Sequence, residues 1–102
     1  MAFGLTQQNI QHIHAIFRQF PSIKKVIIFG SRAMGNFKKG SDVDLVIMDN
    51  IDSSIISQVS SMLNEETTLP YIFDVIHYNT IANDDLKKHI ETYGKKFYEK
   101  RA

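Results

Sequence analysis

The chain has 102 residues, of which 43% are hydrophobic and 23% are charged, values typical of a globular protein and too apolar for a disordered one. Because domains most often contain about 100–150 residues, residues 1–102 are predicted to form a single domain. Twelve Lys and Arg against eleven Asp and Glu give a formal net charge of +1. This balance argues against a general nucleic-acid-binding protein, so any nucleotide site has to be local.

Other function classes are excluded by composition as well. Cysteine is absent, which excludes disulfides, zinc–thiolate sites and cysteine nucleophiles. No apolar run approaches the length of a membrane span, and the N-terminal residues lack the charged start and apolar stretch of a secretory signal. A cytoplasmic protein with no membrane partner is therefore expected.

Helical and strand periodicities predict three helices and three strands, with a loop over residues 31–41 that holds about one helical turn. In chain order they are a helix that Thr6 caps and Pro21 ends, a strand at 25–29, a strand at 42–49, a helix capped by Asp52 or Ser53, a strand at 71–78, and a helix that begins near Asn83. The last helix is predicted to include Phe97, because four apolar residues lie at helical spacing, namely Leu86, Ile90, Tyr93 and Phe97.

The connections between these elements predict the topology. About eleven residues join the first two strands, which is short for a parallel crossover and favours an antiparallel pair. The helix between the second and third strands is the usual right-handed connection of parallel strands. The fold class predicted is α/β, with a small mixed three-stranded sheet and helices packed on it.

This topology brings acidic residues from two strands to one edge of the sheet. Gly30-Ser31 ends the first strand, and Asp42 and Asp44 begin the second, with Val43 between them pointing into the core. Asp74 lies near the start of the third strand, which runs parallel to the second. Three carboxylates and a Gly-Ser turn are therefore expected to converge there.

Such a cluster needs a way to reduce its charge repulsion. Two carboxylates about 4 Å apart repel by roughly 4 kcal/mol at an effective dielectric constant near 20. Either one carboxylate stays protonated at neutral pH or a divalent cation lies between them. Oxygen-only ligands favour Mg²⁺ or Mn²⁺ over zinc, and two such ions are typical of phosphoryl and nucleotidyl transfer. Mg²⁺ is the cation predicted.

The motif formed by these residues resembles that of a known superfamily. Gly30-Ser31, followed after ten residues by Asp42-Val43-Asp44, is similar to the G-S-x(10)-D-x-D signature of the nucleotidyltransferases typified by DNA polymerase beta. The longer strings Gly-Ser-Arg-Ala-Met-Gly and Gly-Ser-Asp-Val-Asp-Leu resemble the minimal nucleotidyltransferase (MNT) domains of bacteria and archaea. The resemblance covers essentially the whole chain and implies the polymerase beta-like fold.

The resemblance also implies site residues. Asp42, Asp44 and Asp74 would be the catalytic carboxylates and the ligands of two Mg²⁺ ions, or of Mn²⁺, and Asp74 would act as base for an acceptor hydroxyl. A nucleoside triphosphate such as ATP would be held by four residues, Gly30, Ser31, Arg32 and Lys39. In this family the small domain is often paired with a helical HEPN-domain toxin, and some members add AMP to a tyrosine of it.

Two interpretations of the function follow. The chain is an enzyme that transfers AMP, or another NMP, to a hydroxyl on a HEPN-type partner, or it is a non-catalytic module that blocks this partner by occlusion. Met34 stands where many relatives have an arginine, which leaves room for the second interpretation. A small-molecule nucleotidyltransferase is a weaker alternative because it normally needs an added substrate domain. Self-association stays open.

Other polar and aromatic residues are assigned no chemistry. His77 is predicted to point away from Asp74, and His89 to lie on a charged surface, so no histidine metal site is expected. Tyr78 lies where an adenine would be placed.

Overall fold

The computed structural model describes residues 1–101, and within that range the chain forms four α-helices and four β-strands. The helices are α1 (Gln7–Arg18), α2 (Ser31–Met34), α3 (Ser53–Glu65) and α4 (Asp84–Tyr93), and the strands are β1 (Lys25–Phe29), β2 (Val43–Ile47), β3 (Phe73–His77) and β4 (Lys95–Glu99). A short 3₁₀ helix, Tyr78–Thr80, follows β3. The three predicted strands are all present, and α2 is the predicted helical turn.

Helix starts follow the capping residues that the sequence offers. The Thr6 side chain accepts a hydrogen bond from the Asn9 backbone N–H, and the Asn9 side-chain oxygen accepts one from the Thr6 backbone N–H. This arrangement satisfies two otherwise unpaired donors. Asp52 caps α3 through the Ser54 N–H. Between the two alternatives predicted for α3, the cap is therefore Asp52.

The sheet has the strand order β3-β2-β1-β4. Strands β1 and β2 are antiparallel, and β2 and β3 are parallel, as predicted. The additional strand, β4, pairs antiparallel with β1. The fold class is confirmed, with four strands in the mixed sheet.

The last helix is shorter than predicted, and this difference produces the fourth strand. Helix α4 ends at Tyr93, and Phe97 lies in β4. A side chain at position 94 would collide with the Ile90 carbonyl and with a methyl group of Ile27. Gly94 therefore lets the chain pass close to the sheet and turn into β4, and Phe97 buries its ring from a strand.

The apolar core is divided by the sheet into two parts. The larger part lies between the sheet and helices α1 and α3, and its fully buried side chains include Ile13, Phe17, Leu45 and Val59. The smaller part lies under α4 and consists of Phe29, Val46 and Ile90 with partly buried neighbours. Burying an aliphatic or aromatic side chain contributes about 1.5–3 kcal/mol, so the α1–α3 face supplies most of the apolar stabilisation. Of the helices at residues 1–101, none is long and apolar enough to cross a membrane.

Candidate active site

The site begins at the turn that follows β1. Gly30 has φ +73° and ψ −156°, a backbone conformation that is essentially restricted to glycine. A Cβ at this position would collide with the carboxylate oxygen Oδ2 of Asp44. Gly30 therefore serves both the shape of the turn and the close approach of the turn to a carboxylate.

Strand register places the acidic residues side by side. Asp44 pairs with Phe29 on β1 and with Asp74 on β3. Register partners on parallel strands point to the same face and lie about 4.8 Å apart, so Asp44 and Asp74 are direct neighbours. Asp42 lies two residues before Asp44, and Val43 between them is fully buried. The predicted placement of Asp74 beside Asp44 is confirmed, and we call this group, with Gly30 and Ser31, the carboxylate edge.

The carboxylate edge carries negative charge that its own side chains only partly offset. Asp44 is half-buried, and burial raises the pKa of its carboxyl above the ordinary value; the charges of Asp74 and Asp42 raise it further. His89 and Arg32 lower it in part. The surroundings of Asp44 therefore favour the approach of a cation.

The donors of the carboxylate edge fit a hard divalent cation. They are all carboxylate oxygens, the ligands that Mg²⁺ and Mn²⁺ prefer. Asp42 and Asp74 are exposed beside the half-buried Asp44, so both can turn towards a shared ion. Across residues 1–101, no three acidic or histidine side chains already surround one point, which is consistent with mutual repulsion of the carboxylates.

The Ser31 end of the edge is the first turn of a short helix. Helix α2 is a single turn in which the Met34 and Gly35 N–H groups bond to the Gly30 and Ser31 carbonyls. As in the first turn of any helix, the preceding N–H groups have no acceptor within the helix. Ser31 is half-buried, and Lys39 is exposed in the following loop.

Arg32 requires a correction. It was expected to contact the nucleotide, but it is only 4% exposed. Its guanidinium donates to the carbonyls of Phe3 and Ser41, at 2.8 Å each, and lies 5.1 Å from the ring centroids of Phe37 and Tyr71. The predicted phosphate contact is wrong for this conformation, because the guanidinium is enclosed and instead joins the N-terminal segment to the loop before β2.

His89 is a site residue that the sequence-based prediction missed. Its Nε2 accepts a hydrogen bond of 3.1 Å from the Gly30 N–H, and its ring packs against Phe29 and Tyr93, with centroids at 6.2 and 5.4 Å. The prediction placed it on a charged surface. A signal was available, because position 89 lies three residues after Leu86 and directly before Ile90, at the margin of the apolar stripe of α4.

His77 and Tyr78 are the two other residues near the site for which the sequence makes a prediction. His77 is buried and bonds to the Asp49 carbonyl at 2.8 Å, on the strand position that alternates away from Asp74, as predicted. Tyr78 donates a hydrogen bond of 3.0 Å to Glu91, and its ring lies 5.9 Å from the Lys87 ammonium. Its predicted contact with an adenine stays a prediction.

The sequence of this chain matches a known protein family. Residues 11–102 match the model of the family described as polymerase beta, nucleotidyltransferase. No curated protein matches the sequence.

Similar solved structures share the fold at low sequence identity. A toxin–antitoxin complex with AMP-PNP matches with a TM-score of 0.70 at 22% identity, over 91% of this chain and 75% of that one. A complex of a tri-AMPylated Shewanella oneidensis HEPN toxin with an MNT antitoxin matches with a TM-score of 0.66 at 20% identity, over 94% and 74%. A nucleotidyltransferase-like protein from Sulfolobus solfataricus matches with a TM-score of 0.57 at 17% identity, over 89% and 77%.

Proposed function

Since this chain belongs to the polymerase beta nucleotidyltransferase family, we propose that it transfers AMP, or another NMP, from a nucleoside triphosphate to a hydroxyl group on a partner protein. The observation that carries the proposal is the pairing of Asp44 with Asp74 beside the Gly30 turn. Nucleotidyl transfer needs clustered carboxylates and a close approach of backbone to phosphate at one place. The carboxylate edge combines both.

In the proposed reaction, the acceptor oxygen attacks the α-phosphorus of the triphosphate. A bond forms between them, the bond from the α-phosphorus to the bridging oxygen of the β-phosphate breaks, and pyrophosphate leaves. Asp74, exposed at the rim, takes the proton of the acceptor hydroxyl. Gly30 and Ser31 hold the β- and γ-phosphates, and Lys39, exposed in the loop that follows, supplies a cation to them.

Nucleotidyltransferases of this fold generally use divalent metals, and we propose Mg²⁺ here. Asp42 and Asp44 would hold it, with Asp74 completing the ligands on the acceptor side. The bound ion would neutralise phosphate charge and lower the pKa of the attacking hydroxyl. The raised pKa of the Asp44 carboxyl, which is caused first by burial and then by the charges of Asp74 and Asp42, supports this assignment, because a bound cation would offset both effects.

The proposed partner is a HEPN-type toxin in the cytoplasm. Support comes from the similarity to chains in toxin–antitoxin complexes, one of them with a tri-AMPylated HEPN toxin. The surface of this chain agrees with a docking role for the carboxylate edge. Met34, at the end of α2, is 45% exposed, and Ile72, just before β3, is 67% exposed, so exposed apolar side chains lie on the segments next to those that carry the carboxylate edge.

The proposal is tested with α-³²P-ATP, Mg²⁺ and the co-purified partner. The double variant Asp42→Asn/Asp44→Asn is expected to reduce label transfer at least about a hundredfold, because both proposed metal ligands lose their charge. The matched control is Asp84→Asn/Asp85→Asn, which removes the same charge from the exposed first turn of α4 and should retain transfer. Undiminished transfer by the first variant would reject the site.

Occlusion of the partner without catalysis is the second candidate function. Two observations favour it: the guanidinium of Arg32 is enclosed, and Met34 stands where many relatives have an arginine. Helix α2 is therefore left without a free arginine for phosphate. In a toxicity assay, an Asp42→Asn/Asp44→Asn variant that still neutralises the partner would favour occlusion. Loss of neutralisation with retained binding would favour transfer.

A further inference from the structure

A cavity in the surface of the chain lies away from the carboxylate edge. It has a volume of about 490 Å³, and its lining includes His14, Arg18, Tyr98, Glu99, Lys100 and Arg101. Tyr98 pairs with Val26 and Glu99 pairs with Lys25, at the start of β1, whereas Gly30 follows its end. At about 3.3 Å per residue, the length of β1 separates the cavity from the carboxylates by roughly 15 Å. We call this cavity the basic cavity.

Its lining is strongly positive for a nearly neutral chain. Arg18, Lys100 and Arg101 contribute cations, and Glu99 is the one carboxylate among the lining residues. Glu99 is itself paired with Lys96 at 3.4 Å. The basic cavity therefore attracts anions, although the whole chain carries a formal charge of only +1.

A buried tyrosine with an unused hydroxyl adds a specific polar group. A register shift in the pairing of β4 with β1 allows two consecutive side chains, Phe97 and Tyr98, to face α1, which is a known effect of β-bulges. Tyr98 is 5% exposed, and its ring packs against His14 and Phe17 at 5.3 Å from each. Among residues 1–101 the phenol oxygen has no hydrogen-bond partner, and Tyr98 is one of the residues that line the cavity.

His14 supplies a second oriented group. Its Nε2 lies 2.7 Å from the Phe97 carbonyl, which can only accept, so Nε2 carries the proton. Burial lowers the pKa of the His14 ring, so the ring is neutral at physiological pH and its Nδ1 is left as an acceptor. The wall of the basic cavity thus holds a phenol hydroxyl and an oriented imidazole beside three cationic side chains, of which the Lys100 ammonium donates to the Pro21 carbonyl at 3.2 Å.

We propose that the basic cavity binds a phosphate-bearing small ligand, separately from the carboxylate edge. A guanidinium fork and an ammonium recognise phosphate through charge-assisted hydrogen bonds, and the Tyr98 hydroxyl is the neutral donor that fixes its position. The volume lies within the range of about 300–1,000 Å³ that is typical of small-molecule sites. It leaves room for a nucleoside-sized group next to the phosphate.

The test is a titration of the ¹⁵N-labelled chain in EDTA with pyrophosphate, AMP, adenosine and an eight-nucleotide RNA, followed by NMR. Pyrophosphate and AMP should shift the amide signals of Arg18 and Tyr98, whereas adenosine, which has no phosphate, should not. A stronger response to the RNA than to AMP would overturn the assignment of a small ligand in favour of a nucleic-acid strand. No response to any probe at millimolar concentration would overturn the proposal.

Three variants locate the binding. Arg18→Gln should weaken AMP binding about tenfold, and Tyr98→Phe about fivefold, from loss of one charge-assisted and one neutral hydrogen bond respectively. Lys95→Gln removes the same charge from an exposed position on β4 outside the cavity and should change affinity less than twofold. Arg18 is exposed, so its variant keeps the fold even if Tyr98→Phe does not.

The site is distinguished from the nucleotidyltransferase site by Asp42→Asn/Asp44→Asn. This variant should bind pyrophosphate and AMP in EDTA as the unmodified chain does. If Arg18→Gln and Lys95→Gln weaken binding equally, the ligand is attracted only by the general positive charge of this part of the surface, and the proposal fails. If binding follows the aspartates instead, the ligand occupies the carboxylate edge and the proposal also fails.

Discussion

The carboxylate edge and the basic cavity lie at opposite ends of β1 and have opposite charges. The first is built from aspartates brought together by strand pairing, with glycine allowing close backbone approach. The second is built from cations at the ends of α1 and β4 around a tyrosine aimed by a register shift. A chain with a net charge of +1 can therefore hold two strongly charged regions, because local geometry and not composition sets the potential that a ligand meets.

The largest expected effect concerns the turn of the carboxylate edge. Gly30→Ala should lower the free energy of unfolding by about 3 kcal/mol, since alanine is strained at φ +73° and ψ −156° and its methyl group collides with Asp44. Chemical denaturation measures the change. The control is Gly35→Ala, where φ is +84° with open space around the position and about 1 kcal/mol is expected. Equal losses would show that contact with Asp44 does not matter.

Mg²⁺ should stabilise the chain through the carboxylate edge and not through the basic cavity. Saturating Mg²⁺, at a hundredfold excess over its dissociation constant, is expected to raise the unfolding free energy by about 2.7 kcal/mol. Asp44→Asn should remove most of this gain and raise stability in EDTA, because it relieves repulsion among three neighbouring carboxylates. Asp85→Asn, in the exposed first turn of α4, should behave like the unmodified chain. A melting temperature unchanged by Mg²⁺ would count against the metal site.

The hydrogen bond from Gly30 to His89 should have a smaller effect. His89→Phe keeps an aromatic ring against Phe29 but removes the acceptor, and should cost about 1–2 kcal/mol. His89→Gln keeps an acceptor without the ring. If the hydrogen bond positions the turn, hydrogen exchange at the Gly30 amide should accelerate in the first variant and stay slower in the second. Similar exchange in both would assign the effect to ring packing alone.

The smallest effect is a pH dependence at the basic cavity. The folded chain keeps His14 neutral because its pKa is lowered, whereas the unfolded chain takes up a proton near the ordinary value of 6.5. The unfolding free energy should therefore fall as the pH drops below about 6.5 towards the lowered pKa. His14→Gln should flatten this slope in denaturation curves, and His12→Gln, at an exposed position on the same helix, should not. A slope unaltered by His14→Gln would place the titrating group elsewhere.

Local patterns were sufficient for much of the fold and for part of the site. The β-branched run at 25–29 and the capping residues Thr6 and Asp52 act through neighbours in sequence, so the elements they begin could be predicted. The two-residue period placed Val43 inwards and Asp44 on the opposite face. Asp74 was harder, because its position depends on the register of β3, and a one-residue shift would have reversed its face.

The errors occur where a contact between distant segments overrides a local pattern. Leu86, Ile90, Tyr93 and Phe97 have helical spacing, but close packing of Gly94 against Ile27 ends the helix and makes the last segment a strand. Arg32 has a phosphate-binding residue type, yet carbonyls from Phe3 and Ser41 enclose it. The position of His89 depends on how α4 crosses β1.

The sequence by itself determined the motif Gly30-Ser31…Asp42-Val43-Asp44 and the two strands and turn that carry it, because backbone conformation and side-chain alternation are local properties. Only the tertiary structure decided the fourth strand, the enclosure of Arg32, the contact of His89 with Gly30 and the basic cavity. Each of these arises between segments separated by many residues, and their free energy depends on three-dimensional packing that no local period encodes.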